Sequence, residues 1–413
     1  MRIPRIKKRR ILLFLSVMGP GIITASVDQD AGGIATYSLA GAHYGFSLLW
    51  SLLFIALSLA VVQEMGARMG VITGKGLADL IRERFGVRVT LLVMAVLALA
   101  NLANTASESA GVAASLEIFG ISRYLSVPLA VLVVSWLVVK GTYSRVEKIF
   151  LGASLFYIVY VISAFLAYPP WGQVLRQTIR PSFPMERGYL VMLITLVGTT
   201  IAPWMQFYLQ SSIVDKGIRV KEYRYARWDA ILGSFIAIGI AYFIITACGA
   251  TLYLNGIRVE TAEEAALAIE PFAGRYASLL FALGLLNASL FSAAIVPLST
   301  AYAICEGLGW ETGVDRSFKD APGFFGIYLA MVGIGAGLIL WPKAPLITIM
   351  VLSQTLNGIL LPFILLFMLR IVNDKEVMGP HVNSPLMNLI AWGTAFVLIV
   401  LTFLLIVTTF IPH

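Results

Sequence analysis

Cysteine, histidine and charge are all scarce in this 413-residue chain. The two cysteines, Cys248 and Cys305, lie inside apolar stretches. They offer neither a disulfide framework nor a thiolate cluster and read as small buried fillers. The three histidines, His43, His381 and His413, sit at the boundaries of apolar runs, which leaves no imidazole for a mid-membrane metal cage or proton relay. Charged residues make up 13% of the chain against 59% hydrophobic, a balance no soluble domain carries. Nucleotide-binding loops and nucleophile triads are also missing, and with them any case for an enzyme or a bound cofactor. What remains is an integral membrane protein whose metal chemistry would have to use oxygen ligands.

The apolar residues fall into about eleven runs long enough to cross a bilayer as helices. They cover approximately 11–40, 46–67, 89–118, 123–139, 149–169, 188–213, 229–254, 276–307, 322–341, 345–369 and 386–411. The expected fold class is all-α and polytopic. Its expected parts are a basic segment (1–10), five spans (11–169), an external loop (170–187) with Pro170, Trp171, Pro181 and Pro184, five more spans (188–369), and a connector with a last helix (370–413). The net charge of +8 does not point to nucleic acid, because the basic residues gather at span boundaries, mostly on alternate segments. That asymmetry predicts a plasma-membrane protein with its N-terminus in the cytoplasm and, for an odd number of spans, its C-terminus outside. The basic opening from Arg2 to Arg10 leads into an apolar run too long for a signal peptide and without a small-residue cleavage site, so a retained first helix is expected. Residues 66–90 read as a polar, amphipathic cytosolic connector that contains a helix. Glu260, Glu263, Glu264 and Glu270 make an acidic external face, read as a solvated surface or, secondarily, a gatherer of cations. Trp50, Trp171 and Trp341 are expected as interfacial anchors. Asn101, Asn104, Asn287 and Asn357 are expected to make hydrogen bonds between helices.

Two spans are interrupted. The first carries Asp28 and Asp30 at mid-span, followed by Gly32 and Gly33. An ionised carboxylate at that depth costs about 3 kcal/mol on insertion scales, which makes it a functional-site candidate facing a protein-lined cavity. The paired glycines are expected to weaken the helix and release backbone carbonyls toward a ligand. No Lys or Arg is left over at mid-membrane, so the counter-charge has to be a proton, a helix dipole or a bound cation. The sixth span carries Gly198, Thr199, Thr200 and Pro203. Pro203 cannot donate to the helix ladder, so the carbonyl near Thr199 is freed. Spans one and six are each the first of five, and matched interruptions there are the signature of an inverted-repeat transporter with its site between the broken helices.

Several stretches resemble the Nramp divalent-metal transporters. They are Gly19-Pro20-Gly21, Asp30 to Thr36, Gly41-Ala42, Tyr44 to Trp50, Gly70 to Ala78, Glu108 to Gly111, Tyr208 to Ser211, Gly284 to Leu286, Ser353-Gln354 and Leu361 to Phe363. The resemblance spans nearly the whole chain and implies a five-plus-five inverted repeat (the LeuT-like fold) shared with sodium-coupled amino-acid symporters. It implies a metal site at Asp30, with backbone carbonyls of Gly33, Thr199 and Ala202, and with Gln354. The family glutamine joins the site on occlusion, while the residue itself reads equally as a helix-to-helix hydrogen bond. Asp28, Gly32, Pro203, Trp204 and Glu108 are expected as wall or vestibule, Asp28 facing away from Asp30 and Glu108 either protonated or bonded to a neighbouring helix.

The departures from the family bear on the substrate. Its Asp-Pro-Gly-Asn becomes Asp30-Ala31-Gly32-Gly33, and its Met-Pro-His becomes Ala202-Pro203-Trp204. A thioether favours Mn2+ and Fe2+, and Ala202 has none. Loss of the asparagine is expected to widen the cavity, which suits Mg2+ that keeps several waters. These replacements are similar to those of the Nramp-related magnesium transporters. The histidine is gone, and Thr105 stands where the family has an aspartate near Glu108, so little proton coupling is expected. The function expected is therefore import of Mg2+, with Mn2+ tolerated, by alternating access in the lipid bilayer. The oligomeric state is left open, a monomer being sufficient. The alternatives are a proton-coupled Mn2+/Fe2+ importer, a sodium-coupled amino-acid symporter, and a non-transporting receptor.

Overall fold

A computed structural model describes residues 18–184, 186–257 and 275–410, with backbone alone for 143, 144, 275–278, 347, 405, 406 and 408–410. The basic segment 1–10, the start of the first span, the acidic face at Glu260 to Glu270, and His413 lie outside the described residues. In chain order the helices are α1 (Pro20–Val27), α2 (Ala31–Tyr44), α3 (Leu49–Thr73), α4 (Leu77–Phe85), α5 (Val87–Glu117), α6 (Arg123–Lys140), α7 (Tyr143–Leu155), α8 (Ile158–Leu166) and α9 (Trp171–Ile179). They continue as α10 (Arg187–Thr200), α11 (Pro203–Asp215), α12 (Tyr223–Thr251), α13 (Arg275–Leu308), α14 (Pro322–Ile339), α15 (Leu346–Val372), the single turn α16 (Lys375–Met378) and α17 (Pro385–Phe410). Among the described residues ten stretches are long and apolar enough to span a membrane. The pair α1/α2, too short in either half to qualify alone, is the remaining span.

The two broken spans form the centre. The α10–α11 stretch has 89% of its most apolar window buried, against 22% for α6 and for α17. The outer helices turn Leu129, Leu132 and Trp136 of α6, and Leu389 and Phe396 of α17, outward. An apolar outer surface over helices whose backbone bonds are internal is what a bilayer accepts. Within the bundle α3 packs on α12 and α5 on α13, so the second and third spans each meet the corresponding helix of the other half. Backbones approach very closely where α10 crosses α15. A Cβ on Gly198 would stand 2.3 Å from the Gly358 nitrogen, and one on Gly358 2.7 Å from the Ile194 carbonyl oxygen. Small residues at such a crossing let van der Waals packing hold the helices together, and here they bring Gln354 to the centre.

Some elements differ from expectation. The fifth span is two helices, α7 and α8, with Tyr157 at the turn stacked on Tyr160, ring centroids 6.4 Å apart. The loop after it contains α9, an amphipathic helix that buries Val174 and Thr178. The connector from 66 to 90 is shorter than expected, because α3 runs on to Thr73 and stops at Gly74, whose φ of 65° favours glycine. Only α4 then lies between two spans, burying Leu77, Ala78, Leu80 and Ile81. The four mid-span asparagines all bond across helices: Asn101 to Thr300, Asn104 to Asn357, and Asn287 to the Ala153 carbonyl.

The N-terminus of α1 is held by the other half of the molecule. Asp229 of α12, buried, accepts from the backbone N–H of Gly21 at 2.7 Å, Gly19 at 3.2 Å and Ile22 at 3.4 Å. A helix leaves its first N–H groups unsatisfied, and one carboxylate here serves three of them. Lys216 reinforces the clamp, donating to the Met18 carbonyl at 2.9 Å and to Glu147 at 2.5 Å.

Candidate functional site

The first break falls at Asp28 to Asp30, before the glycines rather than at them. Asp30 takes an extended conformation (φ −72°, ψ 178°) and caps α2, its Oδ1 accepting the Gly33 N–H at 2.5 Å. An aspartate ahead of a helix satisfies N–H groups that the helix cannot, so Asp30 itself ends the irregular segment. Gly32 and Gly33 therefore sit inside the first turn of α2, and their role is space rather than unwinding. A Cβ on Gly32 would overlap the Gln354 side chain, 2.1 Å from Nε2. A Cβ on Gly33 would stand 2.7 Å from the Asp28 carbonyl oxygen, 3.1 Å from Asp30 Oδ1 and 3.2 Å from Thr199 Oγ1. The wider cavity expected at Gly33 is thus not open in this conformation, because three oxygens converge on the place a side chain would take.

The second break is built differently. Helix α10 ends at Thr200, Ala202 is extended (φ −71°, ψ 142°), and Pro203 opens α11 at a position where its missing N–H costs nothing. The Ala202 carbonyl accepts from the Met205 N–H at 3.2 Å and Gln206 Nε2 at 3.5 Å. Trp204 is fully buried; its carbonyl accepts from Ser299 Oγ at 2.8 Å, and its indole N–H has no partner among the described residues. No hydrogen bond links Ala202, Pro203 or Trp204 to Asp30. Thr199 contributes its hydroxyl, buried and unpartnered. Tyr37 Oη and Thr200 Oγ1, 2.9 Å apart, tie α2 to α10.

Two more helices complete the site. Glu108 of α5 is fully buried, and its Oε2 accepts the Ala31 N–H of the neighbouring helix α2 at 3.1 Å. Gln354 of α15 places Nε2 3.3 Å from each Asp30 carboxylate oxygen. Asp28 is 1% exposed, with Oδ2 3.5 Å from Gln29 Nε2 and Oδ1 unpartnered. Among the described residues no Lys or Arg pairs with Asp28, Asp30 or Glu108; the ion pairs lie elsewhere, as at Arg68–Glu64 and Lys216–Glu147. The N-terminal turn of α2, the positive end of a helix dipole, is the compensation the protein itself supplies. Acidic oxygens, a hydroxyl and a backbone carbonyl make a hard donor set, without sulfur or imidazole, and hard divalent cations are the ions it suits. No three Asp, Glu, His or Cys side chains surround one point among the described residues.

The sequence profile described as Natural resistance-associated macrophage protein-like matches residues 21–408. The chain belongs to the Nramp family. That family consists of membrane transporters, not enzymes. This Nramp-family chain is 27% identical over 425 aligned residues to a divalent metal cation transporter MntH of Staphylococcus aureus, covering 96% of the chain and 92% of the relative. Among solved structures it resembles the Eremococcus coleocola manganese transporter (TM-score 0.76, 20% identity, 97% of this chain and 88% of that one). It also resembles Mhp1, a nucleobase-cation-symport-1 family transporter, with TM-score 0.58, 16% identity, and coverage of 95% and 93%. Those likenesses carry the fold, a five-plus-five repeat with spans one and six broken.

Asp30, Gly32, Gly33, Thr199, Gln354 and Glu108 come together at the centre, while Ala202, Pro203 and Trp204 line the second break with no hydrogen bond to Asp30. The Thr199 hydroxyl was not foreseen as a donor. Interhelical bonds from Asn104 and Asn357 were expected, but not that the two pair with each other behind Gln354, although the spacing of Gln354 and Asn357 puts both on one helical face.

Proposed function

We propose that this protein carries a divalent metal cation across the membrane by alternating access, with Asp30 between the two broken spans as its principal ligand. The observation that carries the reading is a buried carboxylate at a helix break, with oxygen donors around it and no basic partner among the described residues. The names of its relatives support the metal class. An amino-acid symporter is disfavoured, because Asp30 and Glu108 already take the Gly33 and Ala31 N–H groups that would greet a substrate carboxylate.

Within that class we favour Mg2+, with Mn2+ accepted and without obligatory proton coupling. Ala202 supplies no thioether, and Mg2+ is commonly held by one or two carboxylates while keeping several waters. An inside-negative potential supplies about 2.3 kcal/mol per charge per 100 mV, enough to draw a divalent ion inward without a coupled proton. The second reading is a proton-coupled Mn2+/Fe2+ importer, which the manganese transporter among the structural relatives favours. An N-terminus in the cytoplasm of a plasma-membrane protein completes the proposal.

Purified protein in liposomes separates the readings when Mg2+ flux, Mn2+ flux and internal pH are recorded together. Flux of both ions without acidification supports Mg2+ uniport. Acidification that scales with metal entry, or Mn2+ flux that excess Mg2+ does not compete, supports the second reading. Undiminished flux through Asp30→Ala defeats both.

A further inference from the structure

Gln354 reaches the site with its amide in a defined sense. Its Nε2 faces both oxygens of Asp30 at 3.3 Å, and its Oε1 accepts from Asn357 Nδ2 at 2.9 Å. Asn357 and Asn104 are paired reciprocally, each Nδ2 donating to the other's Oδ1 at 3.1 Å. All three amides are fully buried. The direction of this chain is imposed from the Asp30 end. A carboxylate only accepts, so Gln354 gives it the NH2 group and has only its oxygen left for Asn357. Asn357 must then donate, and its two N–H groups are both in use, one on Gln354 and one on Asn104.

A cation at Asp30 makes the opposite demand. An amide nitrogen has no lone pair to offer a metal, so Gln354 can ligate only through Oε1. Turning Gln354 over sets its NH2 against the NH2 of Asn357, donor facing donor. Relieving that clash means turning Asn357 as well, and its reciprocal pair with Asn104 then survives only if Asn104 turns too. Buried polar groups left facing like partners are costly.

We propose that Asn357, backed by Asn104, is a positioning residue that holds Gln354 as a donor to Asp30, so that amide and cation compete for the same carboxylate. The proposal rests on the transport reading above. It gives the protein a built-in opponent to its own cargo, which keeps the ion from settling too deeply at Asp30 and lets it leave.

The test is Mg2+ and Mn2+ uptake into liposomes, with KM and maximal rate read separately, for Asn357→Leu, Gln354→Leu and the double variant. Removing the group that opposes inversion of Gln354 is expected to lower the KM of Asn357→Leu by about 5–10-fold, the worth of one buried hydrogen bond. On the Gln354→Leu background the same change is expected to leave KM where it was, because the residue acts only through Gln354. A KM that is unchanged or raised overturns the proposal, as does an equal shift on both backgrounds, which is the mark of a merely structural role. Should Asn357→Leu fail to fold, Asn104→Ala is expected to shift KM in the same direction, and no shift there overturns the proposal equally. Wild-type uptake by Asp30→Ala would instead remove the transport site on which the inference stands.

Discussion

Adding one methyl group to each of two adjacent glycines is expected to have opposite consequences. At Gly32 the three atoms nearest the new Cβ all belong to the Gln354 side chain, at 2.1–2.8 Å. A side chain can turn where backbone cannot, and with the Asn357 bond to Gln354 kept the cost is the two long bonds to Asp30, about 1 kcal/mol together, offset by about 1 kcal/mol gained when alanine replaces glycine in a helix. Gly32→Ala should therefore be close to neutral in stability while pushing Gln354 off Asp30. At Gly33 the Cβ meets the Asp28 carbonyl at 2.7 Å, which is backbone of the break itself and cannot rotate away as a side chain can. Forcing it back costs about 1–3 kcal/mol as overpacking and strains the Asp30 cap, worth about 1 kcal/mol more, against the same helix gain. Gly33→Ala should thus be less stable than Gly32→Ala by about 2 kcal/mol. Denaturant titration of the two variants in detergent measures the difference directly. Equal stabilities, or Gly33→Ala as the more stable of the two, would refute the reading of these glycines as space-makers with different neighbours.

Asp229→Ala orphans three backbone N–H groups at the start of α1 and is expected to cost about 2–4 kcal/mol in the same titration; a loss under about 1 kcal/mol would show that the clamp is not needed. Glu108→Gln keeps an acceptor for the Ala31 N–H, so the fold should hold and metal flux should persist at every pH. Flux that becomes insensitive to a previously observed pH gradient would place Glu108 in a proton path. Ala202→Met alone is expected to raise the preference for Mn2+ over Mg2+ in competition uptake, because it restores a soft donor at the second break. An unchanged preference would move the selectivity determinant elsewhere.

Much of the architecture was legible in the sequence because a bilayer constrains a chain severely. Runs of apolar residues of the right length have one stable form in hydrocarbon, and most of the described span boundaries fall within a few residues of those runs. The two interruptions were legible for the same reason: a carboxylate pair and a mid-span proline have no ordinary place there. Details governed by local capping were less so. The Asp30-to-Gly33 cap is a short-range signal that the conspicuous glycine pair obscured, and the continuation of α3 to Thr73 was hidden by Glu64 and Arg68, which pair with each other inside the helix.

By itself, then, the sequence determined a helical membrane protein with two matched breaks and an oxygen-based acidic centre, since composition and periodicity act over single helices and need no partner. Only the tertiary structure decided what stands around Asp30. Glu108, Thr199 and Gln354 are brought there from three other helices, Asn104 and Asn357 set which way the glutamine faces, and Gly33 is crowded rather than roomy. Each of these depends on how closely backbones cross, and crossing distance is a property of two surfaces together that neither strand of sequence states alone.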